Sequence, residues 1–446
     1  MGTYTANSPE QQQIMLHDCG FKNFADMYAS AAISPEVMLK DGLSLPPGMA
    51  ELSVRRAMEA MADSNKVYQH VFRGAGAYRH YIPAAVKAIA GKEEFLTAYT
   101  PYQAEISQGI LQAVFEFQTM ICSLTGMDIA NASVYDGATA AAEAAAMCYE
   151  RKRLNTVYVS ATVNPQVIEV MRTYCFGRDT ELKIVPPKDG ITDYDALQQM
   201  LDKEASCFYM QQPNYFGNIE DAAKLGEITH SVKAKFIMGV NPISLAILQT
   251  PAVAGADIAV GEAQPLGLPL AFGGPYLGFM ACTKQMMRKL PGRLVGQTVD
   301  ADGKRAFVLT LQAREQHIRR EKASSNICSN QQWCALTASI YLSAMGADGL
   351  TKAAEQCAAK AHYLAQKLAQ IGLKLKYQQE FFHEFVTKVP ENSPLASAAI
   401  LNFLDAHGIL GGLALNEREI LWCCTELNTK AEIDECAALI SSLSEV

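Results

Sequence analysis

The chain has 446 residues, of which 49% are hydrophobic and 19% are charged, and its formal net charge is −8. This composition excludes an intrinsically disordered chain, and the acidic balance argues against a nucleic-acid partner attracted by bulk electrostatics. The longest apolar stretch, 396–415, is interrupted by Asp405 and His407, so no membrane span of about 18 residues is predicted. We therefore expect a cytoplasmic protein of several domains, without membrane or nucleic-acid partners.

The first part of the chain contains residues that predict helices. Ser8-Pro9 is typical of a helix start, with serine as the cap and proline at the first helical position. Helical character resumes over 53–61, and we expect residues 1–85 to form an N-terminal helical arm. The segment 72–81 places Gly74 and Gly76 among aromatic and basic residues. It fits either an ordered loop that allows close backbone approach or a connecting loop whose aromatic side chains pack on the next domain.

A long helix is predicted over 103–125, where apolar residues recur at helical spacing until Gly126 ends it. Thr100, Tyr102 and Gln103 stand at its entrance. Free N–H groups at a helix start attract anions, so these residues are candidates for a binding site. Thr100 followed by a proline is equally typical of a simple helix cap, and both interpretations can hold together. A second helix is predicted over 137–150.

Short apolar runs then alternate with helical or turn segments, which predicts βαβ units and a largely parallel sheet. This pattern defines a large α/β domain at 86–320. The predicted strands are 156–160, 182–185, 206–210, 235–240, 257–260 and 277–282.

The C-terminal part, 321–446, is expected to form a small α+β domain. Helical character over 330–370 is followed by short strands at about 373–378, 384–389 and 419–424. A last helix is predicted to begin at Asn428-Thr429, because Thr429 and Glu432 have the spacing of a capping box.

The 12 cysteines and eight histidines indicate no metal site. The cysteines are scattered in apolar runs, which favours buried reduced thiols, and the histidines lack metal-ligand spacing. Motifs for nucleotide phosphates and for a nucleophilic serine are also absent.

The segment 310–328 concentrates basic residues in an otherwise acidic chain. Arg314, His317 and Arg320 are its candidates for an anion site or a subunit contact. A solvated helix face that also carries Glu315 and Glu321 is the alternative.

Taken together, several blocks resemble the glycine decarboxylase (glycine cleavage system P-protein) family, in the half that some organisms make as a separate subunit 1. The resemblance spans the chain from the arm to the last helix. The blocks are GAGAYRHYIP, YTPYQAEISQG, SVYDGATAAAEA, GEAQPLGLPLAFGGPYLGFMACT, GRLVGQTVDADGKRAFVLTLQAREQHIRREKASSNIC and LWCCTE.

The resemblance implies a type I pyridoxal-phosphate-dependent transferase (aminotransferase-like) fold. It also implies a complex in which subunit 2 carries the Schiff-base lysine. That complex decarboxylates glycine and passes the aminomethyl group to the lipoyl arm of the H-protein. This chain is then expected to bind no cofactor alone, to be inactive alone and to act in a heterotetramer.

Three positions bear on the cofactor once the family's glycine-rich turn is aligned with Gly273-Gly274. Gln264 then stands at the position of the lysine, and glutamine cannot form an imine. Asn241 stands where the pyridine nitrogen needs a carboxylate. Asp136 precedes Gly137 at the helix start that would hold the phosphate, where its charge would repel that group.

Two other functions stay open from the sequence. One is a scaffold or regulatory protein that only stabilises the catalytic subunit. The other is an autonomous pyridoxal-phosphate enzyme that uses a different lysine, although the nearest one, Lys284, follows the next strand. In the favoured function, Thr100, Tyr102, Gln103, Arg314, His317 and Arg320 line the shared site or its contact surface.

Overall fold

The computed structural model describes residues 7–39, 43–150 and 153–444, which fall into two compact units that divide between Val67 and Tyr68. The first unit contains the helices α1 (Pro9–Asp18), α2 (Phe24–Ser30) and α3 (Glu51–Asp63) and a short 3₁₀ helix at Pro35–Val37. Ser8 caps α1 and forms a capping box with Gln11, so the predicted helix start is confirmed. The domain limits expected from the sequence remain predictions.

The second unit holds the other elements. Its helices are α4 (Ala84–Ala90), α5 (Glu93–Leu96), α6 (Gln108–Thr125), α7 (Gly137–Cys148), α8 (Pro165–Arg178), α9 (Tyr194–Met200), α10 (Ala222–Ser231), α11 (Gln316–Arg319), α12 (Gln332–Gln370), α13 (Ser397–Ala406) and α14 (Lys430–Ser444). Its strands are β1 (His70–Val71), β2 (Ile129–Ala130), β3 (Thr156–Ser160), β4 (Glu181–Val185), β5 (Pro187–Lys188), β6 (Ile191–Thr192), β7 (Ala205–Gln212), β8 (Lys235–Val240), β9 (Ile258–Glu262), β10 (Gly278–Cys282), β11 (Leu294–Val299), β12 (Arg305–Thr310), β13 (Lys374–Leu375), β14 (Glu384–Lys388), β15 (Ile409–Leu410), β16 (Leu413–Asn416) and β17 (Glu419–Cys423).

A seven-stranded sheet with the order β2-β10-β9-β8-β7-β3-β4 forms the centre of the unit. Neighbours from β9 to β4 are parallel, while β10 and β2 are antiparallel, so the predicted mostly parallel sheet is confirmed. Alternate side chains of β7 and β8 enter two apolar cores, one shared with α7 and α8 and the other with α6, α9, α10 and α12. Because both faces of these strands are buried, their sequences are continuous apolar runs.

The smaller sheet has the order β13-β14-β17-β16 and packs with α13, α14 and the last part of α12. The backbone of α12 is interrupted at Gly346, where φ is 61°. Residues on both sides of this break, up to Cys357, contribute to the core of the large sheet, and Ala361 to Leu368 contribute to the core of the smaller sheet. Thr429 N–H donates to Glu432 and Glu432 N–H donates to the Thr429 hydroxyl, which confirms the predicted capping box. The cysteines are free, and most of them are buried.

The 3₁₀ turn at Ala104–Ile106 corrects the predicted start of the long helix. That turn separates Thr100 from α6, which begins at Gln108 after Ser107. Thr100 therefore does not cap this helix. Gly126 ends α6 in the left-handed conformation, as the sequence predicts. Across the described ranges, no helix combines the length and apolarity that a membrane span requires.

Gly217, in the loop after β7, lies against the backbone of Glu384 in β14, and this close contact gives a first prediction. Gly217 has a φ of +85°, and a β-carbon there would lie 1.9 Å from the carbonyl oxygen of Glu384. We expect Gly217→Ala to lower the free energy of unfolding by about 3 kcal/mol or more, because backbone strain adds to a contact that cannot relax cheaply. Gly303→Ala is the matched control, since Gly303 has a φ of +78° and open space around it. Equal losses for the two variants in urea unfolding would contradict the assigned contact.

Candidate functional site

A cavity of about 490 Å³ lies at the carboxyl ends of β7, β8 and β9. Ligands of open α/β sheets bind at this edge, which makes the cavity the first candidate for a functional site. Its described lining comes from the segment 74–78, the start of α7, the strand ends and the turn before β10. The lining residues are Gly74, Ala75, Gly76, Ala77, Tyr78, Asp136, Gly137, Ala138, Asn164, Gln166, Val167, Tyr209, Gln211, Gly239, Val240, Asn241, Gly261, Glu262, Gly273 and Tyr276.

Two carboxylates of the chain itself occupy the amino end of α7. Asp136 accepts from Thr139 N–H at 2.7 Å and from the Thr139 hydroxyl at 3.0 Å. Glu262 accepts from Gly137 N–H at 2.9 Å. The N–H groups that a phosphate would use are thus partly satisfied, and a phosphate placed there would meet two acidic side chains.

Glu262 is held firmly in this position. Its other carboxylate oxygen accepts from the N–H groups of Gln264 and Leu277, each at 2.9 Å. Burial raises the pKa of Glu262, while the three N–H donors lower it. Gly137 allows the contact, because a β-carbon there would lie 2.8 Å from the backbone nitrogen of Glu262. The side chain therefore joins the end of β9 to the start of α7.

Gln264, the residue expected at the lysine position, has a structural function. Its side chain is 1% exposed, accepts from Tyr78 N–H at 2.9 Å and donates to the Tyr78 carbonyl at 2.9 Å. It also donates to the Leu268 carbonyl at 2.8 Å. The amide has both a donor and an acceptor and so pairs with both backbone groups of Tyr78. Gln264 thus holds the segment 74–78 at the cavity.

The segment 74–78 shows both features that its sequence left open, a close backbone approach and an aromatic side chain packed against the domain. Ala75 N–H donates to Glu384 at 2.6 Å, and the Tyr78 hydroxyl donates to the other Glu384 oxygen at 2.7 Å. Gly74 allows the backbone to approach, because a β-carbon there would lie 2.6 Å from a Glu384 carboxylate oxygen. Tyr78 itself is buried and lies against His383, with ring centroids 4.6 Å apart.

The position expected to face a pyridine nitrogen carries no acid. Asn241 accepts from Ile243 N–H at 2.9 Å, and its amide nitrogen lies 3.4 Å from Nε2 of His383. Burial lowers the pKa of His383 to about 3, with a further contribution from His80, so this imidazole is neutral near pH 7. Neither side chain offers the negative charge that stabilises a protonated pyridine nitrogen.

These residues do not fit pyridoxal phosphate in this cavity. The position expected for the lysine holds a hydrogen-bonded glutamine, the position expected for the phosphate is acidic, and the position expected for the ring-nitrogen partner holds an amide. Each group serves the fold through its own hydrogen bonds.

The predicted residues Thr100, Tyr102 and Gln103 lie elsewhere, on the irregular segment before α6. Thr100 and Gln103 line a shallow depression that also includes Glu94, and Thr100 reaches a second, narrower cleft. Tyr102 is 54% exposed, and its hydroxyl accepts from Nη2 of Arg293 at 3.0 Å. The three side chains are therefore available to a ligand or a partner chain.

The predicted residues of the basic segment separate into two kinds. Arg314 donates to the carbonyl groups of Leu290 and Gly292, the second at 2.6 Å, and so supports the turn before β11. His317 is exposed and lies 3.7 Å from Glu315. Arg320 is exposed, with a φ of 53°, and its guanidinium forms no hydrogen bond or ion pair within the part of the chain that the structure describes. Arg314 thus has a structural contact, while His317 and Arg320 face outward.

A compact group of possible metal ligands also occurs, at His80, Cys357 and Glu426. Their ligand atoms lie within 4.8 Å of one another. They already bond among themselves, because His80 Nδ1 lies 2.7 Å from Glu426 and the Cys357 thiol donates to Glu426 at 3.3 Å. The contacts support packing between α12 and the segment that follows β17.

Sequence reasoning missed Glu262 and Arg293. Glu262 lies just beyond the predicted strand 257–260, and Arg293 lies between apolar residues in LPGRLV, so each is a charge beside apolar residues. Such charges need partners or ligands, and this signal was available.

Comparison with solved structures identifies the class of the fold. An alanine–glyoxylate aminotransferase from Nostoc sp. is similar over 91% of this chain and 100% of its own, with a TM-score of 0.59 and 15% identity. The fold is therefore the type I fold of pyridoxal-phosphate-dependent enzymes, as the resemblance implied. A glycine decarboxylase P-protein in inhibitor-bound form is much more similar, with a TM-score of 0.90 and 38% identity over 99% of this chain and 100% of its own.

The chain belongs to the glycine cleavage system P-protein family, whose sequence pattern matches residues 2–440. It is 49% identical to a probable glycine dehydrogenase (decarboxylating) subunit 1 from Syntrophomonas wolfei, over 98% of both chains. It is 48% identical to the protein of the same description from Moorella thermoacetica, over 99% of both chains.

Proposed function

We propose that this chain is the non-lysine subunit of a two-chain glycine decarboxylase. A partner, subunit 2, holds pyridoxal phosphate on its lysine, and the complex decarboxylates glycine. The complex passes the aminomethyl group to the lipoyl arm of the H-protein. The chain is inactive alone, forms an α₂β₂ heterotetramer with its partner and works in the cytoplasm.

One observation carries this proposal. A member of a glycine decarboxylase family has filled its own cofactor position with Gln264, Asp136 and Glu262, each fixed by hydrogen bonds. The family activity then requires a second chain to supply the imine. The relatives described as subunit 1 agree with a division into two chains.

The shared site is proposed to include Thr100, Tyr102 and Gln103 of this chain. These side chains carry hydroxyl and amide groups, which hydrogen-bond a cofactor phosphate or a substrate carboxylate without adding charge. Arg314, His317 and Arg320 are proposed to act at the contact surface. His317 and Arg320 do so directly because they are exposed, and Arg314 acts through the turn it supports.

A scaffold function is the second candidate, because Gln264, Asp136 and Glu262 all make hydrogen bonds that serve the fold. The two functions differ in what interface substitutions do. In a scaffold they weaken assembly and leave the turnover of the assembled complex unchanged. In a shared site they lower turnover at full assembly.

The proposal is tested by glycine-dependent exchange of the carboxyl carbon with bicarbonate in the presence of H-protein. The chain alone, the lysine-bearing partner alone and the mixture are compared. We expect exchange from the mixture and none from this chain alone. Exchange by this chain alone would refute the proposal and would point to a different lysine.

Interface substitutions give a further prediction. We expect Tyr102→Phe and Arg320→Ala to lower the exchange rate of the assembled complex about tenfold or more, because the first removes a hydroxyl group from the proposed shared site and the second removes an exposed guanidinium from the proposed contact surface. Lys304→Ala is the control, since Lys304 is exposed on the β11–β12 hairpin and pairs only with Asp302 at 3.5 Å among the described residues. An Arg320→Ala complex that assembles and turns over normally would remove Arg320 from the site.

A further inference from the structure

A second cleft, of about 420 Å³, lies between the segment 95–100, α6 and the amino end of α12. Its walls are largely apolar, with Phe95, Ile110, Val114 and Trp333 among them. One charged side chain, Arg293, is among the described residues that line it, together with the neutral polar groups of Thr100, Ser329, Asn330, Gln331 and Gln332.

Arg293 is buried without a negative partner. It is 3% exposed, and its two described side-chain hydrogen bonds go to neutral oxygens, the Asn330 amide at 3.1 Å and the Tyr102 hydroxyl at 3.0 Å. A guanidinium has five N–H donors, and Nε of Arg293 is buried without a partner. No aspartate or glutamate belongs to the described lining of this cleft. A buried cation of this kind is costly unless an anion accompanies it.

The amino end of α12 adds a second, independent attraction for an anion. Gln331 precedes the helix, and no side chain caps the first turn. The first N–H groups of a helix have no intrahelical acceptor, and the helix dipole places partial positive charge there. Gln332, Trp333 and Cys334 of this turn all line the cleft. The uncapped turn and the arginine thus share one space.

The turn that carries Arg293 is rigid. Arg314 donates to the carbonyl groups on either side of Pro291, and the Asn131 amide donates to the Pro291 carbonyl at 2.9 Å. The Arg293 carbonyl accepts from Ala132 N–H at 2.9 Å. A fixed backbone lets the guanidinium keep its orientation without a salt bridge, which is the preorganisation that a binding site needs.

We propose that this cleft binds a small oxyanion, a carboxylate or phosphate group borne on a short apolar body, with Arg293 as the residue that recognises the anion. The guanidinium and the first turn of α12 bind the oxyanion, and the apolar walls contact the rest of the ligand. This site goes beyond the proposed function, because every group proposed to bind the anion belongs to this chain, although the cleft borders the proposed shared site through Thr100 and through Tyr102, which accepts from Arg293.

The test measures binding to the full chain alone by isothermal titration at constant ionic strength. The probes are inorganic phosphate, acetate and hexanoate. We expect saturable binding of at least one probe. Tighter binding of phosphate indicates a phosphate-bearing ligand. Hexanoate binding about tenfold or more tighter than acetate indicates a carboxylate on an apolar chain, because its extra methylenes are buried against the walls.

Variants at the arginine identify the site. We expect Arg293→Met to weaken binding of the preferred probe about tenfold or more, and Arg293→Lys to recover only part of the loss, because lysine keeps the charge but not the fork of donors. Arg305→Met is the matched control and should bind like the unmodified chain, since Arg305 is exposed on the nearby hairpin and lies over Phe307. Circular dichroism shows whether each variant is folded.

Two results would overturn the proposal. One is that none of the three probes binds to the folded chain more tightly than about 10 mM, a level at which the anion contributes little. The other is equal binding by the unmodified chain and Arg293→Met. If binding is absent in the chain but a carboxylate of the partner subunit neutralises Arg293 in the complex, the cleft is a protein contact instead. None of these outcomes depends on the activity of the complex, so the proposed anion site and the proposed subunit function are tested separately.

Discussion

Replacing Gln264 by lysine is expected to destabilise the chain without giving it a cofactor. The substitution removes the acceptor for Tyr78 N–H and places an ammonium group at a position that is 1% exposed. An unsatisfied buried N–H together with a buried charge costs about 3–5 kcal/mol in the free energy of unfolding. Since Asp136 and Glu262 still occupy the amino end of α7, no Schiff-base absorbance should appear when pyridoxal phosphate is added.

Gln297→Lys provides the control, because it is the same substitution at an exposed position of β11. It should leave the free energy of unfolding within about 0.5 kcal/mol of the unmodified chain. Urea unfolding and an absorbance spectrum are measured for both variants. A Gln264→Lys chain that is as stable as the unmodified one, or that turns yellow with pyridoxal phosphate, would contradict the structural function assigned to Gln264.

Glu384→Gln is expected to remove a pH dependence of stability. Burial raises the pKa of Glu384 from 4.5 to about 7, although hydrogen bonds from Ala75 and Tyr78 lower it. The folded state therefore keeps a proton that the unfolded state releases above pH 4.5. The stabilisation is fully present below pH 4.5 and is lost as the pH rises to about 7, by about 3 kcal/mol in total. Above pH 7 the contribution stays constant.

The measurement compares urea unfolding of the unmodified chain and Glu384→Gln between pH 5 and pH 8. The unmodified chain should lose stability relative to the variant over this interval, because glutamine still accepts from Ala75 N–H and has no proton to lose. Glu169→Gln is the control, since Glu169 is exposed on α8, and it should show no comparable change. If the unmodified chain instead gained stability relative to Glu384→Gln as the pH rises, Glu384 would be charged in the folded chain at pH 5.

Six of the seven strands of the large sheet, all but the short β2, could be predicted because burial gives most of them unbroken apolar runs. The limits of β3 and β8 agree with the predicted 156–160 and 235–240. The hairpin β11–β12 was not predicted, since its outer residues are exposed and the sequence alternates only weakly. The start of α6 was misplaced because a Thr-Pro pair signals a cap, while the 3₁₀ turn at Ala104–Ile106 depends on the tertiary fold.

The sequence predicted those properties of the site that residue type alone decides, namely that imine formation and phosphate binding are disfavoured. Gln264 cannot form an imine, and an Asp136 side chain that caps α7 competes with a phosphate. The partners that make these replacements stable were not predictable. Glu262 reaches Gly137 across 125 positions of sequence, and Gln264 reaches Tyr78 across 186 positions. Such pairs follow from the arrangement of strand ends around the cavity, which no local pattern encodes.

Locating the cofactor in the assembled complex tests the central claim most directly. The complex of this chain with the proposed lysine-bearing partner is reduced with borohydride, and mass spectrometry then finds which chain carries a phosphopyridoxyl-lysine. We predict one modified lysine per partner subunit and none in this chain, with the exchange activity lost on reduction. A phosphopyridoxyl-lysine in this chain would contradict the account, because its own cavity would then hold the cofactor despite Gln264, Asp136 and Glu262.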